Sequence, residues 1–176
     1  MTAQWTAPLT WQDNDLVTAA LLNTHLRDNL EYLKRSSAAH FLANLASNYS
    51  TTSTSFVDVD ATAGNMAHTI NTVGGDVLIG FTSGLVSNGG GSTYFDVYID
   101  PDGSDPGGRF GGDDGLARQT DAYEYISFVI VKKGLAAGSH TFKLQWKVSA
   151  STGLIYAGAG AAGNDTHPTF WVRELP

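Results

Sequence analysis

Two hydrophobic periods divide the chain. Between Asn14 and Arg35 apolar residues recur in three- and four-residue steps; from His40 onward they recur at every second position. In the first region Leu16, Ala19, Asn23, Leu26, Leu30 and Leu33 form a heptad seam. Leu16, Asn23 and Leu30 fall at a, and Ala19, Leu26 and Leu33 at d. The spacing predicts an amphipathic, coiled-coil-like helix over 14–36. Asp13, Asn14 and Asp15 supply a cap and negative charge at its start, and Lys34 and Arg35 suit the negative pole of its dipole. An isolated helix of this length is marginal in water, so the seam needs a cover. Asn23 at an a position lowers stability and fixes register and strand number. Ala20 and Leu22 at e and g, beside Arg27, Asn29 and Lys34, widen the stripe beyond a two-stranded seam. That leaves two covers open, the chain's own domain or further copies of the helix. The second is the expectation, because the downstream chain reads as a complete β domain.

After a hinge at Ser36-Ser37-Ala38-Ala39 the period is two. Phe56, Val57 and Val59, then Met66 to Ile70, then Val77, Ile79 and Phe81 after a turn at Gly74-Gly75, predict successive strands. Phe95, Val97 and Ile99 follow the turn at Asn88 to Gly91. Tyr125 to Val131 is apolar on both faces, which predicts a central strand. In HTFKLQWKV, Phe142, Leu144, Trp146 and Val148 share one face. Leu154 to Ala157 and Thr169 to Leu175 complete about eight strands. The fold class is therefore mainly β, a jelly-roll β-sandwich preceded by one N-terminal helix. The domain reading is an extended docking arm over 1–13, an oligomerising helix over 14–36 and the sandwich over 37–176.

The arm holds Trp5, Leu9 and Trp11 beside Pro8. Large aromatics suit a segment that docks, either on the chain's own helix near Leu21 or in a neighbouring protein of an assembly. Charged residues make up only 15% of the chain and glycine numbers 20, which fits short strands and Gly-rich turns better than a helical bundle. The formal charge is −7 and no basic cluster exceeds two residues, so no nucleic-acid partner is expected. Without cysteine there is neither a disulfide nor a thiolate metal site. The N-terminus lacks the pattern of a signal peptide, and no apolar run approaches the ~20 residues of a membrane span, so synthesis in the cytoplasm and no membrane insertion are expected.

Candidate chemistry is sparse. Asp100, Asp102 and Asp105 alternate in a Gly-rich loop, and oxygen ligands at such positions suit Ca²⁺. The loop departs from the EF-hand pattern, with Asp105 where glycine is needed, so these are weak metal candidates beside the plain reading of a solvated turn. His25, His40, His68, His140 and His167 are scattered, with no HxxxH pair. No GxSxG elbow and no Walker motif occurs. No cofactor and no enzymatic activity is expected. On the strand at 93–99, Tyr94 and Tyr98 share with Asp96 the face opposite Phe95, Val97 and Ile99; exposed tyrosines there suit a subunit interface or, less well, a sugar platform.

The stretch LVTAALLNTHLRDNLEYLK resembles the N-terminal helix of structural proteins of tailed bacteriophages. The body (FVDV, GGDVLIGF, FDVYID, GLAAGSHTFKLQWKV and HPTFWVREL) is similar to the jelly-roll knobs of phage fibres and decoration proteins, which are reminiscent of the trimeric C1q and tumour-necrosis-factor fold. The resemblance implies a non-enzymatic virion protein, a homotrimer projecting its knob from capsid or tail as a decoration protein or short spike. It lacks the long shaft of many fibres. A host-receptor or glycan-binding adhesin of a tail fibre is the alternative, and a glycan-cleaving tail protein a third reading. The implied partners are further copies of the chain, other virion proteins met through the arm, and a host surface glycan or protein.

Overall fold

The computed structural model describes residues 6–7, 9–33, 38–45, 47–100, 108–120, 122–158 and 166–175, with residues 31–33 as backbone. Its helix, α1, runs from Ala19–Leu22 through a π-helical Asn23–Arg27 to Asp28–Leu33. Ten strands follow: β1 (Ala38–Leu42), β2 (Tyr49–Thr51), β3 (Val57–Asp58), β4 (Ala67–Asn88), β5 (Thr93–Ile99), β6 (Gly108–Arg109), β7 (Ala117–Gln119), β8 (Tyr123–Val148), β9 (Gly153–Ile155) and β10 (Thr169–Glu174).

β4 and β8 form one long antiparallel ribbon that serves both layers of the sandwich. Its outer half, β4 over 77–87 and β8 over 123–132, joins β10 and β1 in a first sheet of order β1-β10-β4-β8. Its other half, β4 over 67–75 and β8 over 135–148, joins β3 on one edge of β8 and β5 on the other, with β6 and β7 beyond β5. β9 pairs with β2 and with the end of β4. The topology is that of a jelly roll, as the sequence predicts.

The Gly74-Gly75 pair is a bend within β4 rather than a turn between two strands. The two glycines have φ of 97° and 145°, a region that side chains with a Cβ disfavour, and the register shifts by one between Gly75 and Val77. The ribbon changes direction there without losing its ladder. Folding it over brings Phe81 of the first sheet against Phe95 of the second, with ring centroids 5.5 Å apart; Phe128 lies 5.6 Å from Phe81 on the other side, and Trp146 stacks on Phe95 at 6.3 Å. Val77, Ile79, Phe142, Leu144, Phe170 and Val172 complete a core with almost no solvent contact.

Two further expectations change. The segment 125–131 is not central, because among the described residues it pairs with β4 alone and so forms an edge of the first sheet. The helix does not begin at Asn14. Asp13 and Asn14 lie in a turn closed by Asp15, whose carboxylate accepts the Gln12 N–H at 2.7 Å. Thr18 is the cap instead, its hydroxyl accepting the Leu21 N–H at 3.2 Å. Leu16 therefore precedes the helix.

Candidate functional site

The outward face of the first sheet carries an apolar patch bordered by polar residues, where a fully solvated antiparallel sheet alternates to polar throughout. Cross-strand register lines up Ala38, Arg173, Leu78 and Val131 in one row and His40, Trp171, Gly80 and Val129 in the next. The Trp171 ring lies flat over Gly80, where an added Cβ would come within 2.2 Å of the indole Cζ2. Glycine is needed there to let the ring lie down, and the result is a smooth plate. Val129 is 59% exposed and Val131 42%; the next row, Leu42, Thr169, Thr82 and Ser127, is polar but for Leu42, and Tyr125 lies beyond it. Nothing in the described chain covers it. Sequence reasoning did not single these residues out as a site, although the signal was present: Tyr125, Val129 and Val131 are apolar on the face opposite Ile126, Phe128 and Ile130.

The second bare surface is on α1. Leu22, Leu26 and Leu30 repeat every four residues, and Leu26 and Leu30 are 56% and 57% exposed. A four-residue step overruns a 3.6-residue turn, so such a line drifts around an α-helix. The wider i→i+5 turn over Asn23–Arg27 takes up the excess and keeps the leucines near one line. The adjoining side is occupied, and Leu22 and Leu26 border it. The arm runs back along the helix, and Asn29 grips it: the Thr6 N–H donates to Asn29 Oδ1 and Asn29 Nδ2 donates to the Thr6 carbonyl, each at 2.9 Å. Asn29 is buried by this contact. Trp11, Val17, Leu21, Leu22, His25 and Leu26 line a cleft of about 280 Å³ between arm and helix. The arm thus meets its own helix, while Leu9 and Trp11 keep exposed faces. Of the other seam residues, Leu16 is 80% exposed, and Ala19 and Asn23 are exposed as well. Asn23 sits on the helix surface of the single chain, within the π segment. Trp5 and the side chain of Leu33 lie outside the described residues.

Tyr94 and Tyr98 stand on the other sheet, away from the plate. Each is half-buried under cations of its own chain. Arg118 and Lys147 lie 5.4 and 5.3 Å from the Tyr94 ring, and Lys143 lies 5.9 Å from that of Tyr98. Lys147 also covers Phe56 at 4.8 Å. Asp96 does not share their exposure. The segment after β6 folds over it, and its carboxylate accepts N–H bonds from Gly111 and Val97 at 2.9 and 2.8 Å. Burial pushes this carboxyl above the usual range, against the opposing pull of those bonds and of Arg109.

Of the Asp-rich loop, Asp102 and Asp105 lie outside the described residues, and Asp100 forms an ion pair with Lys143 at 3.0 Å. Among the described residues no group of three or more His, Asp or Glu side chains is placed to hold a metal ion. Among the same residues, no helix is long and apolar enough to cross a membrane.

The histidines are also dispersed. His68 is buried, stacked on Phe170 at 5.3 Å, with Nε2 3.0 Å from the Phe170 carbonyl oxygen. Burial, aided by the charge of His40, holds its pKa below the ordinary imidazole value although the Phe170 bond opposes this. The unfolded chain therefore takes up this proton first, and stability falls as pH drops below about 6.5, the ordinary imidazole range. Thermal melts between neutral and mildly acid pH should show that loss, and His68→Gln should flatten the slope. Equal slopes in the two proteins would contradict the assignment.

No protein-family model and no curated protein sequence matches the chain. Solved structures do align with it. Murine APRIL matches at 12% identity over 80% of this chain and 100% of its own, with a TM-score of 0.44. The T=1 particle derived from infectious bursal virus matches at 13% identity over 80% of this chain and 36% of its own, with a TM-score of 0.43. Eiger TNF from S. frugiperda matches at 12% identity over 80% and 93%, with a TM-score of 0.42. At such identities the likeness is one of fold alone. The chain spans about a third of the viral protein's length.

Proposed function

We propose that this chain is a non-enzymatic structural protein of a bacteriophage particle, a homotrimer whose β-sandwich projects from the capsid or tail as a decoration protein or short spike. The observation that carries the assembly reading is the pair of bare apolar surfaces, the plate on the first sheet and the leucine line on α1. They are neighbours in the chain, because α1 leads within a few residues into β1, the first strand of the sheet that bears the plate. Apolar surface left in water forfeits about 25 cal/mol per Å², and patches beyond a few hundred Å² are uncommon on monomers. Copies of the same chain are the cover that every such molecule meets.

In this reading Leu16, Ala19, Asn23, Leu26, Leu30 and Leu33 contribute the helical part of the interface. Leu9 and Trp11, with Trp5 ahead of them, present the exposed side of the arm to another particle protein. The resemblance of the helix and body motifs to phage proteins supports the virion setting. Mass spectrometry of purified particles tests it. The chain is expected at a copy number divisible by three, and its absence from purified particles would contradict the virion reading while leaving the assembly reading intact.

A further inference from the structure

One end of the sandwich carries a cleft that neither the plate nor the helix uses. The turn from β4 to β5, the approach to β8 and the turn from β8 to β9 meet there. Two adjoining depressions of about 500 and 530 Å³ share Asn88, Gly89 and Ala122. The first is lined by Ser87, Asn88, Tyr123, Ser151, Thr152 and Tyr156 among others, all uncharged.

The floor is built in advance. Asn88 is buried, and its Nδ2 donates to Thr93 Oγ1 and to the Ala150 carbonyl, both at 3.3 Å, while its Oδ1 accepts the Gly90 N–H at 3.2 Å. That side chain ties the two turns together. They touch through backbone, since a Cβ on Gly91 would lie 2.7 Å from the Ala150 oxygen. Ser151, at the lip, holds φ of 62°, a left-handed conformation that serine adopts at a cost. Such strain collects where a ligand is held. Tyr123 stands over the cleft 60% exposed.

The chemistry of this lining selects its ligand. Tyrosine faces supply flat, rigid contact area, and Ser, Thr and Asn supply adaptable hydrogen bonds. No charged side chain stands among the described lining residues, and a purely apolar ligand leaves their polar groups unpaired. A sugar ring offers both a C–H face and a fringe of hydroxyls. We propose that the cleft at the β4–β5 end of the sandwich binds a short neutral oligosaccharide, with Tyr123 stacking on a ring and the Ser151-Thr152 lip bonding its hydroxyls. The site is independent of the assembly reading.

The test is binding of the full-length protein to an array of neutral and anionic oligosaccharides, with Tyr123→Ala, Tyr123→Phe and Thr152→Trp alongside. Mass and melting temperature are recorded for each variant. Retention of neutral glycans is expected. Tyr123→Ala should weaken it about tenfold, the worth of one stacking face, while Tyr123→Phe keeps most of it. Thr152→Trp fills the cleft without altering Tyr123 and should abolish binding at unchanged mass. Failure to retain any neutral glycan, retention of anionic glycans alone, or wild-type binding by both Tyr123→Ala and Thr152→Trp would overturn the proposal.

Discussion

Replacing Val129 and Val131 together by aspartate is expected to take the proposed homotrimer apart into folded single chains. Both side chains point outward from β8, 59% and 42% exposed, so in the isolated chain each new carboxylate can reach water. The cost to the fold is that of aspartate in a strand, on the order of 1 kcal/mol per position. In an assembly sealed by the plate, the same change places two carboxylates per copy in a desolvated apolar contact, where an unpaired charge costs several kcal/mol. The two costs differ enough to separate the effects. Sedimentation should show a fall to the mass of one chain, and the melting curve should keep its cooperative transition. A variant that keeps the wild-type mass would remove the plate from the interface.

The second large effect is expected at α1. Leu26→Asp with Leu30→Asp should also lower the mass, because both leucines are more than half exposed on the line that the π turn straightens. Neither leucine takes part in the two Asn29–Thr6 hydrogen bonds, although Leu26 also borders the cleft that the arm lines. If the helix alone drives association, this variant is monomeric and the plate variant is not. If the plate alone drives it, the outcome is reversed. The proximity of α1 to β1 in the chain leads us to expect that each double variant suffices. Wild-type mass for the α1 variant would return the leucine line to the role of a solvent-exposed helix face.

Much of the architecture was legible because burial imposes period two on one-sided strands. Phe95, Val97 and Ile99, like Phe142, Leu144 and Trp146, are buried in alternation as the pattern demands. The long ribbon was less legible, since Gly74-Gly75 carries the signature of a turn and whether the ladder resumes beyond it depends on pairing partners far along the chain. Tyr125 to Val131 misled in an instructive way. Apolar residues on both faces suggested a strand covered on both sides, yet Tyr125, Val129 and Val131 stand exposed in the single chain. The Asn29–Thr6 clasp, 23 residues apart, leaves no local pattern at all. Within the helix, the three- and four-residue steps were visible, but the choice of Thr18 as cap and the widened turn at Asn23 to Arg27 reflect hydrogen bonds that a heptad template does not contain. Asp96 shows the same limit: its alternation placed it outside, and a later loop folded over it.

The claim on which the account rests is that the plate and the leucine line are covered by further copies of the same chain. The mass of the purified full-length protein in solution at micromolar concentration, by light scattering, tests it most directly. A homotrimer, at about three times the 18.7 kDa of one chain, is the predicted result. A stable, well-folded particle of 18.7 kDa would contradict it.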